Sequence, residues 1–301
     1  MSFSQVVEVA VGLVLVYYIL GQIVSIITKV ILETFETRGK VLEKYLVQIA
    51  GEKQVGDFVK MPQIESQAPV RYKGLMGFLA PALQVEAQKV ERIPVANLVD
   101  AFFDFAGLMG KEFTALELLA LIENMPDSEA KTRLAALVKK GITDLNQLRS
   151  RVGMWFTGLM EQAGATFRAY ARRVVILLSI FITLLLGVDS IDLAVQLWDN
   201  ADMRMVAAAR ADQYLAENGA GSEIAPLLKD LETLNLKFGW WAVPGTFPAQ
   251  EASGQVWAAW VLKKLLGLVL TATAVSQGSS FWYDILKRLR GDDAPQPAET
   301  A

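Results

Sequence analysis

The sequence predicts an all-α integral membrane protein with about three transmembrane helices and a small helical cytoplasmic domain on a juxtamembrane helical stalk. Three observations lead there. Hydrophobic residues make up 53% of the 301 residues, and the mean hydropathy of +0.33 is high for a soluble chain. Three apolar runs approach or exceed the length needed to cross a ~30 Å hydrocarbon core. No stretch sustains the period-two alternation of a half-buried strand.

Val6 to Val30 (VVEVAVGLVLVYYILGQIVSIITKV) reads as the first span. A cleaved signal peptide is the competing reading, but no positive charge precedes Val6 and no small-residue cleavage site closes the run, which favours the span. Leu32, Phe35, Leu42, Leu46 and Ile49 continue at helical spacing to Gly51, so residues 1–50 are expected to form one helix that leaves the bilayer unbroken. Residues 51–142 are expected to hold a linker and the cytoplasmic helical domain. The linker runs from Glu52 to Arg71, with Pro62 and Pro69. Helices are expected around Leu75 to Gln88, around Val95 to Met109, from Thr114 to Asn124 with Thr114 and Glu117 as a capping box, and from Pro126 and Asp127 to near Gly141.

Residues 143–198 are expected to form a stalk helix and the second span. Leu145, Leu148, Val152, Trp155, Phe156, Leu159, Ala163 and Phe167 share one helical face. Such a stripe could receive a partner helix, but core packing, here against residues 32–49, is its commoner use. The stripe leads into Val174 to Val188, a short apolar run that needs its flanks to cross. Residues 199–255 are acidic and read as an extracytoplasmic loop with helical character near Met205 to Leu215 and Ile224 to Leu234. Residues 256–290 contain the third span, Leu265 to Tyr283, with Lys263 and Lys264 snorkelling outward from its start. Residues 291–301, with their Asp, Pro, Ala and Glu, read as a disordered tail.

Charge placement gives an orientation. Lys29, Arg38, Lys40, Lys44, Arg168, Arg172, Arg173, Lys287, Arg288 and Arg290 flank the proposed inner ends, whereas the outer ends carry only Arg204, Arg210, Lys263 and Lys264. By the positive-inside rule the N-terminus and residues 199–255 lie outside, and residues 32–173 and the C-terminus lie in the cytoplasm. Trp198, Trp240, Trp241, Trp257 and Trp260 would then form an aromatic belt at the outer face.

Composition also excludes functions. Without histidine or cysteine there is no disulfide, no thiolate, no Cys/His metal site and no Ser-His or Cys-His arrangement. No catalytic motif, metal site or cofactor site is expected, and chemistry would have to run on carboxylates, Lys or Tyr. With a net charge of −3 and no basic stripe, nucleic acid is not an expected partner. Asp189 and Asp192 are the first candidates, because two carboxylates three residues apart could bind a cation or relay protons; capping a helix start is their blander use. Thr273, Ser276, Gln277 and Ser280 form a polar stripe that could line a path, although packing against neighbouring spans is the default. Gly278, Phe281, Trp282 and Asp284 could shape a site at the inner face, although an interfacial Trp with a helix-terminal charge explains most of it.

Several short motifs recur together. Residues 36–46 (ETRGKVLEKYL) follow the first apolar run; Trp155, Phe156, Met160 and Arg168 precede the second; Val188, Asp189, Ser190, Leu197 and Trp198 follow it; and Gly278, Phe281, Trp282, Asp284 and Leu286 form a Gly-x-x-Phe-Trp-x-Asp-x-Leu close. In these features the chain resembles a family of uncharacterised bacterial inner-membrane proteins with about three spans. It departs from them at Ala165, Thr166 and Phe167, where they carry Gly-Trp-Tyr. The resemblance implies a bacterial inner-membrane setting and brings no activity, substrate or cofactor. The expected role is a membrane-anchored scaffold or adaptor, not an enzyme, that presents the helical domain to a soluble cytoplasmic partner. The alternative is a subunit of an oligomeric channel or transport complex, which would need a homo-oligomer because three spans rarely enclose a pore.

Overall fold

The computed structural model describes residues 3–68, 70–72, 85–87, 89–109, 113–217, 223–240, 247–249 and 252–290. The chain divides into two compact units: residues 31–171, and residues 1–30 together with 172–301.

The 31–171 unit contains α2 (Thr37–Ala50), α3 (Val55–Val59), α4 (Pro62–Glu65), β1 (Val70–Tyr72), β2 (Val85–Ala87), α5 (Val95–Phe105), α6 (Ala115–Glu123), α7 (Glu129–Lys139) and the first part of α8 (Leu145–Leu186). The expected unbroken helix over residues 1–50 is interrupted. The first helix, α1 (Phe3–Thr34), stops before Glu36, which is left-handed at φ 48° and ψ 36°, and α2 starts at Thr37. A left-handed non-glycine residue costs about 1 kcal/mol, so it persists where packing beyond it holds it. Here α2 carries Leu42, Leu46, Ile49 and Ala50 into the core. Gly51 ends α2 at φ 82°, and its N–H reaches Val47 O at 2.8 Å.

The expected linker is not structureless: α3 and α4 bury Phe58 and Ile64 completely. The helix expected at Leu75 to Gln88 is corrected where it is described. Val85–Ala87 pairs antiparallel with Val70–Tyr72, placing Val70 opposite Ala87; residues 73–84 and 88 lie outside the described residues. The Thr114–Glu117 capping box forms in full. The next helix is capped by Ser128, whose hydroxyl accepts from Lys131 N at 3.1 Å, and so starts later than Pro126. Its end, expected near Gly141, falls at Lys139.

Leu148, Val152, Phe156, Leu159 and Ala163 form the buried stripe of α8, with the 3–4 spacing of one helical face. The Phe102 ring meets Phe156 edge-on, centroids 5.5 Å apart, and the Tyr45 and Thr166 hydroxyls lie 2.7 Å apart across α2 and α8. Truncating such a fully buried ring costs about 3–5 kcal/mol. Phe156→Ala should therefore accelerate proteolysis within residues 31–171 of the detergent-solubilised full chain. Unchanged cleavage would show that this ring is not core.

The second unit adds α9 (Ser190–Asp199), α10 (Ala201–Ala216), α11 (Ile224–Thr233), α12 (Gly254–Ser276) and α13 (Ser279–Arg290) to α1 and the end of α8. Among the described residues three helices are long and apolar enough to cross a membrane: Ser4–Thr34, Leu145–Leu186 and Gly254–Ser276. That is compatible with a membrane protein. Their environments differ. The most apolar stretch of the first is 67% buried by protein, against 17% and 28% in the other two. The first apolar helix is thus a core element: Leu15, Tyr18, Ile19 and Leu20 are enclosed with Leu193, Leu197, Ala207, Ala211, Leu227 and Leu231. Leu177, Phe181 and Leu185 of α8 and Leu262, Leu265 and Val269 of α12 are exposed instead.

The segment expected to be an outer loop supplies α10 and α11, both packed on this core. Arg210 and the Tyr214 hydroxyl converge on Asp230, and Arg290 at the end of α13 pairs with Asp212 on α10. Side chains in contact cannot lie on opposite sides of a ~30 Å hydrocarbon core. The charge count expects residues 199–255 outside and residues 287–290 inside, whereas the Asp212–Arg290 pair brings side chains of both segments together. Trp241 of the expected aromatic belt and the 291–301 tail lie outside the described residues.

Candidate functional site

The polar cluster of the second unit starts with a helix end. Gly187 (φ 61°) stops α8, and two residues later Asp189 takes an extended backbone and caps α9. Its Oδ1 accepts from Ile191 N at 2.8 Å and from Asp192 N at 3.2 Å. An Asp at this position satisfies two of the free N–H groups of the first turn and meets the positive end of the helix dipole.

Asp189 is only 2% exposed and lies against α12. A Cβ on Gly267 would fall 1.7 Å from Asp189 Oδ1, so only glycine admits the carboxylate there. Three residues earlier on α12, the buried Lys264 brings Nζ to 3.3 Å from Asp189 Oδ2 and 3.1 Å from Asp192 Oδ2. Asp189 Oδ2 accepts no hydrogen bond; it is compensated by this ammonium charge without an aligned N–H. Lys263 reaches Asp192 Oδ1 at 3.0 Å. The two lysines therefore do not snorkel away from the protein, because the carboxylates of α9 are nearer partners than the exterior. Two acids and two ammonium groups make a neutral quartet.

A chain of hydroxyls continues the cluster. Tyr17 on α1 donates to Ser190 Oγ at 2.7 Å, Ser190 Oγ and Thr271 Oγ1 are 2.7 Å apart, and Thr271 donates to Gly267 O at 2.9 Å. Each hydroxyl has one proton, so the chain runs from Tyr17 through Ser190 and Thr271 to the backbone carbonyl. An apolar hollow of about 550 Å³ opens beside it, lined by Val9, Leu13, Ile191, Trp198 and Leu270 as well as Tyr17 and Ser190.

Of the residues singled out from sequence, Asp189 and Asp192 belong to this cluster and the others do not. Ser276 donates to Thr273 O at 2.8 Å and Gln277 to the same oxygen at 3.4 Å, so both close on their own helix. Ser280 and Asp284 are exposed. The Trp282 indole donates to Ala274 O at 2.6 Å and packs on the Tyr17 ring at 4.9 Å, which fastens the turn at Gly278. Sequence reasoning missed Tyr17, Ser190, Thr271 and Gly267 and misassigned Lys264. Lys264, Gly267, Thr271 and Val275 recur at helical spacing as one buried face of α12, a signal that the surrounding apolar residues conceal.

Chemically, the cluster holds its charges in pairs. No group of three or more His, Cys, Asp or Glu side chains that could hold a metal occurs among the described residues, and ammonium groups sit against both carboxylates. Compared with known proteins, the chain matches no family model, no curated protein and no solved structure.

Burial pushes the Asp192 carboxyl upward, but hydrogen bonds and charge from Lys263 and Lys264 outweigh it and hold the group below its ordinary 3.8. A depressed carboxyl stabilises the fold fully above its unfolded value and loses that contribution as pH falls through the lower folded value. Melting in detergent should therefore drop as pH falls below about 4, and Lys263→Met should shrink the drop; an equal drop in the variant would remove Asp192 as its source. Lys264→Met strands Asp189, and breaking a buried pair typically costs about 3–5 kcal/mol. Thermal unfolding at neutral pH should show that loss, and an unchanged midpoint would mean that Asp189 is not buried against this ammonium.

Proposed function

We propose that the chain is a membrane-anchored scaffold or adaptor, without catalytic activity, that presents the 31–171 helical unit to a soluble partner. The observation that carries this reading is that residues 31–171 form a compact unit with a core of their own, inserted between two helices apolar enough to cross a bilayer. The charged cluster of the other unit supports it from a second direction, because a neutral, paired quartet fixes one helix on another and leaves no group free for chemistry. A bacterial inner membrane is the setting that the resemblance implies. Arg38, Lys40, Lys44, Arg168, Arg172 and Arg173, close in sequence to the ends of the first two apolar runs, favour a cytoplasmic 31–171 unit and an outer N-terminus. The α2 and α8 segments nearest those runs would act as its stalk.

Purification of the tagged full chain in mild detergent should yield a small assembly carrying a soluble protein in fixed ratio. Gln67→Cys should resist a membrane-impermeant thiol reagent in intact cells and react after permeabilisation. Labelling without permeabilisation would put the unit on the wrong side for a cytoplasmic partner. A large symmetric ring with ion flux in vesicles would replace the scaffold with a channel subunit. Because Ser276 and Gln277 bond their own backbone, the triple change Ser276→Ala, Gln277→Ala, Ser280→Ala removes no hydrogen bond between helices. The variant should keep its fold and its bound protein, whereas flux that disappears with the triple change would overturn the reading.

A further inference from the structure

The 31–171 unit contains a second concave feature, unrelated to the charge quartet. Arg38 on α2, Arg92 in the stretch before α5 and Arg168 on α8 surround a cavity of about 380 Å³ with an apolar floor of Leu42, Ile93 and Met160. Five other arginines are engaged within the fold, while Arg151, Arg172, Arg173 and Arg288 share with these three the lack of an ion pair among the described residues, without lining this cavity. Arg133, Arg149, Arg204, Arg210 and Arg290 each meet a carboxylate of the fold, whereas Arg38, Arg92 and Arg168 form no ion pair among the described residues. Glu91 is the single acidic side chain in the described lining, against three arginines.

The positions are partly fixed. The Arg38 guanidinium lies 5.6 Å from the centre of the Phe167 ring, a cation–π contact that engages its face and leaves the in-plane N–H donors for an anion. Arg168 folds back over α8, where its Nη1 would lie 3.3 Å from a Cβ at Gly164. Three arginines lining one concavity are suited to a tetrahedral oxyanion, because guanidinium forks match phosphate oxygens in pairs.

We propose that this cavity binds a phosphate group attached to an apolar body, with Arg38, Arg92 and Arg168 holding the phosphate and the Leu42–Ile93–Met160 floor meeting the remainder. The chemistry is common to the headgroup of an anionic phospholipid and to a soluble phosphate compound. Arg168 precedes the apolar run at Val174 by six residues in sequence, which is why the lipid source is worth a separate arm of the test.

The test uses the full chain in a neutral detergent and follows its melting midpoint against three probes: short-chain phosphatidylglycerol, short-chain phosphatidylcholine and inorganic pyrophosphate. A saturable rise with phosphatidylglycerol alone identifies a lipid headgroup, and a saturable rise with pyrophosphate as well identifies a site open to soluble phosphates. In either case Arg38→Gln, Arg92→Gln, Arg168→Gln together should abolish the rise. The equally discharged control Lys53→Gln, Lys139→Gln, Arg151→Gln, with all three side chains exposed, should keep it. If the triple variant does not fold, Arg92→Gln alone should weaken the half-saturating concentration about tenfold, as expected for one charge-assisted contact. No saturable rise with any phosphate probe, or a rise equally strong in the arginine variants, overturns the proposal.

Discussion

Enclosure of the first apolar helix by its own chain is the constraint on which the second unit depends. Between Val9 and Val24 almost every apolar position of α1 is buried. Each of these enclosed side chains gains dispersion contacts on every side, small singly and large in sum, so the fit around this one helix fixes the arrangement of its neighbours. The other elements come close because α1 lets them. A Cβ on Gly12 would lie 2.9 Å from Leu197, and one on Gly21 would lie 3.0 Å from the backbone of Ser279. Small residues at such points allow backbone approach where a larger side chain would hold the helices apart. The Tyr17 and Tyr18 rings, packed on Trp282 and on Tyr214 and Tyr283, then tie the C-terminal helix to the same core.

The charge quartet answers a different need. Apolar packing is weakly directional, and a helix as short as α9 could slide along α12 at little cost. Asp189 removes that freedom because its cap bonds, its fit over Gly267 and its ammonium partner are satisfied together in one register only. A buried ion pair seldom adds net stability over a well-packed apolar pair, but breaking one is expensive. The quartet thus raises the energy of misregistered arrangements more than it lowers that of the native one. The hydroxyl chain from Tyr17 to Gly267 O extends the same selection to α1.

Much of this was legible in the sequence wherever a local rule governs. The capping box at Thr114, the glycine stop at Gly51 and the 3–4 stripe on α8 are properties of a few neighbouring residues, and they appear in the structure as the spacing predicts. The misreadings concern what lies on the other side of an apolar surface. Hydropathy reports that Val6 to Val30 avoids water, and it does so equally whether lipid or protein supplies the cover. In the acidic stretch after Asn200 the helices near Met205 to Leu215 and Ile224 to Leu234 were legible, but not the core they pack on. These helices are amphipathic, with Ala207, Ala211, Leu227 and Leu231 turned to the core, and their partner lies about 200 residues earlier in the chain. Lys264 misled because a lysine near the start of an apolar helix normally snorkels, and nothing within its own helix announces that two carboxylates approach from α9. The helical break at Glu36 had no local signal either, since neither Gly nor Pro stands there.

Charge satisfaction separates what holds the fold from what remains available to something outside it. Around α9 to α13, the most buried charges meet opposite charges of the same unit, as at Lys264 with Asp189 and Arg210 with Asp230. Such groups have already lost much of their hydration and regained it within the fold, so an external ligand would have to displace a partner. Arg38, Arg92 and Arg168 keep their donors in a solvent-accessible concavity, where an arriving anion displaces only water. An ion that lands there gains three charge-assisted contacts at the desolvation cost of an exposed site, which is lower than that of a buried one. The difference lies in where the carboxylates are, and it makes the helical unit, rather than the charged quartet, the part of this molecule equipped to recognise an anion.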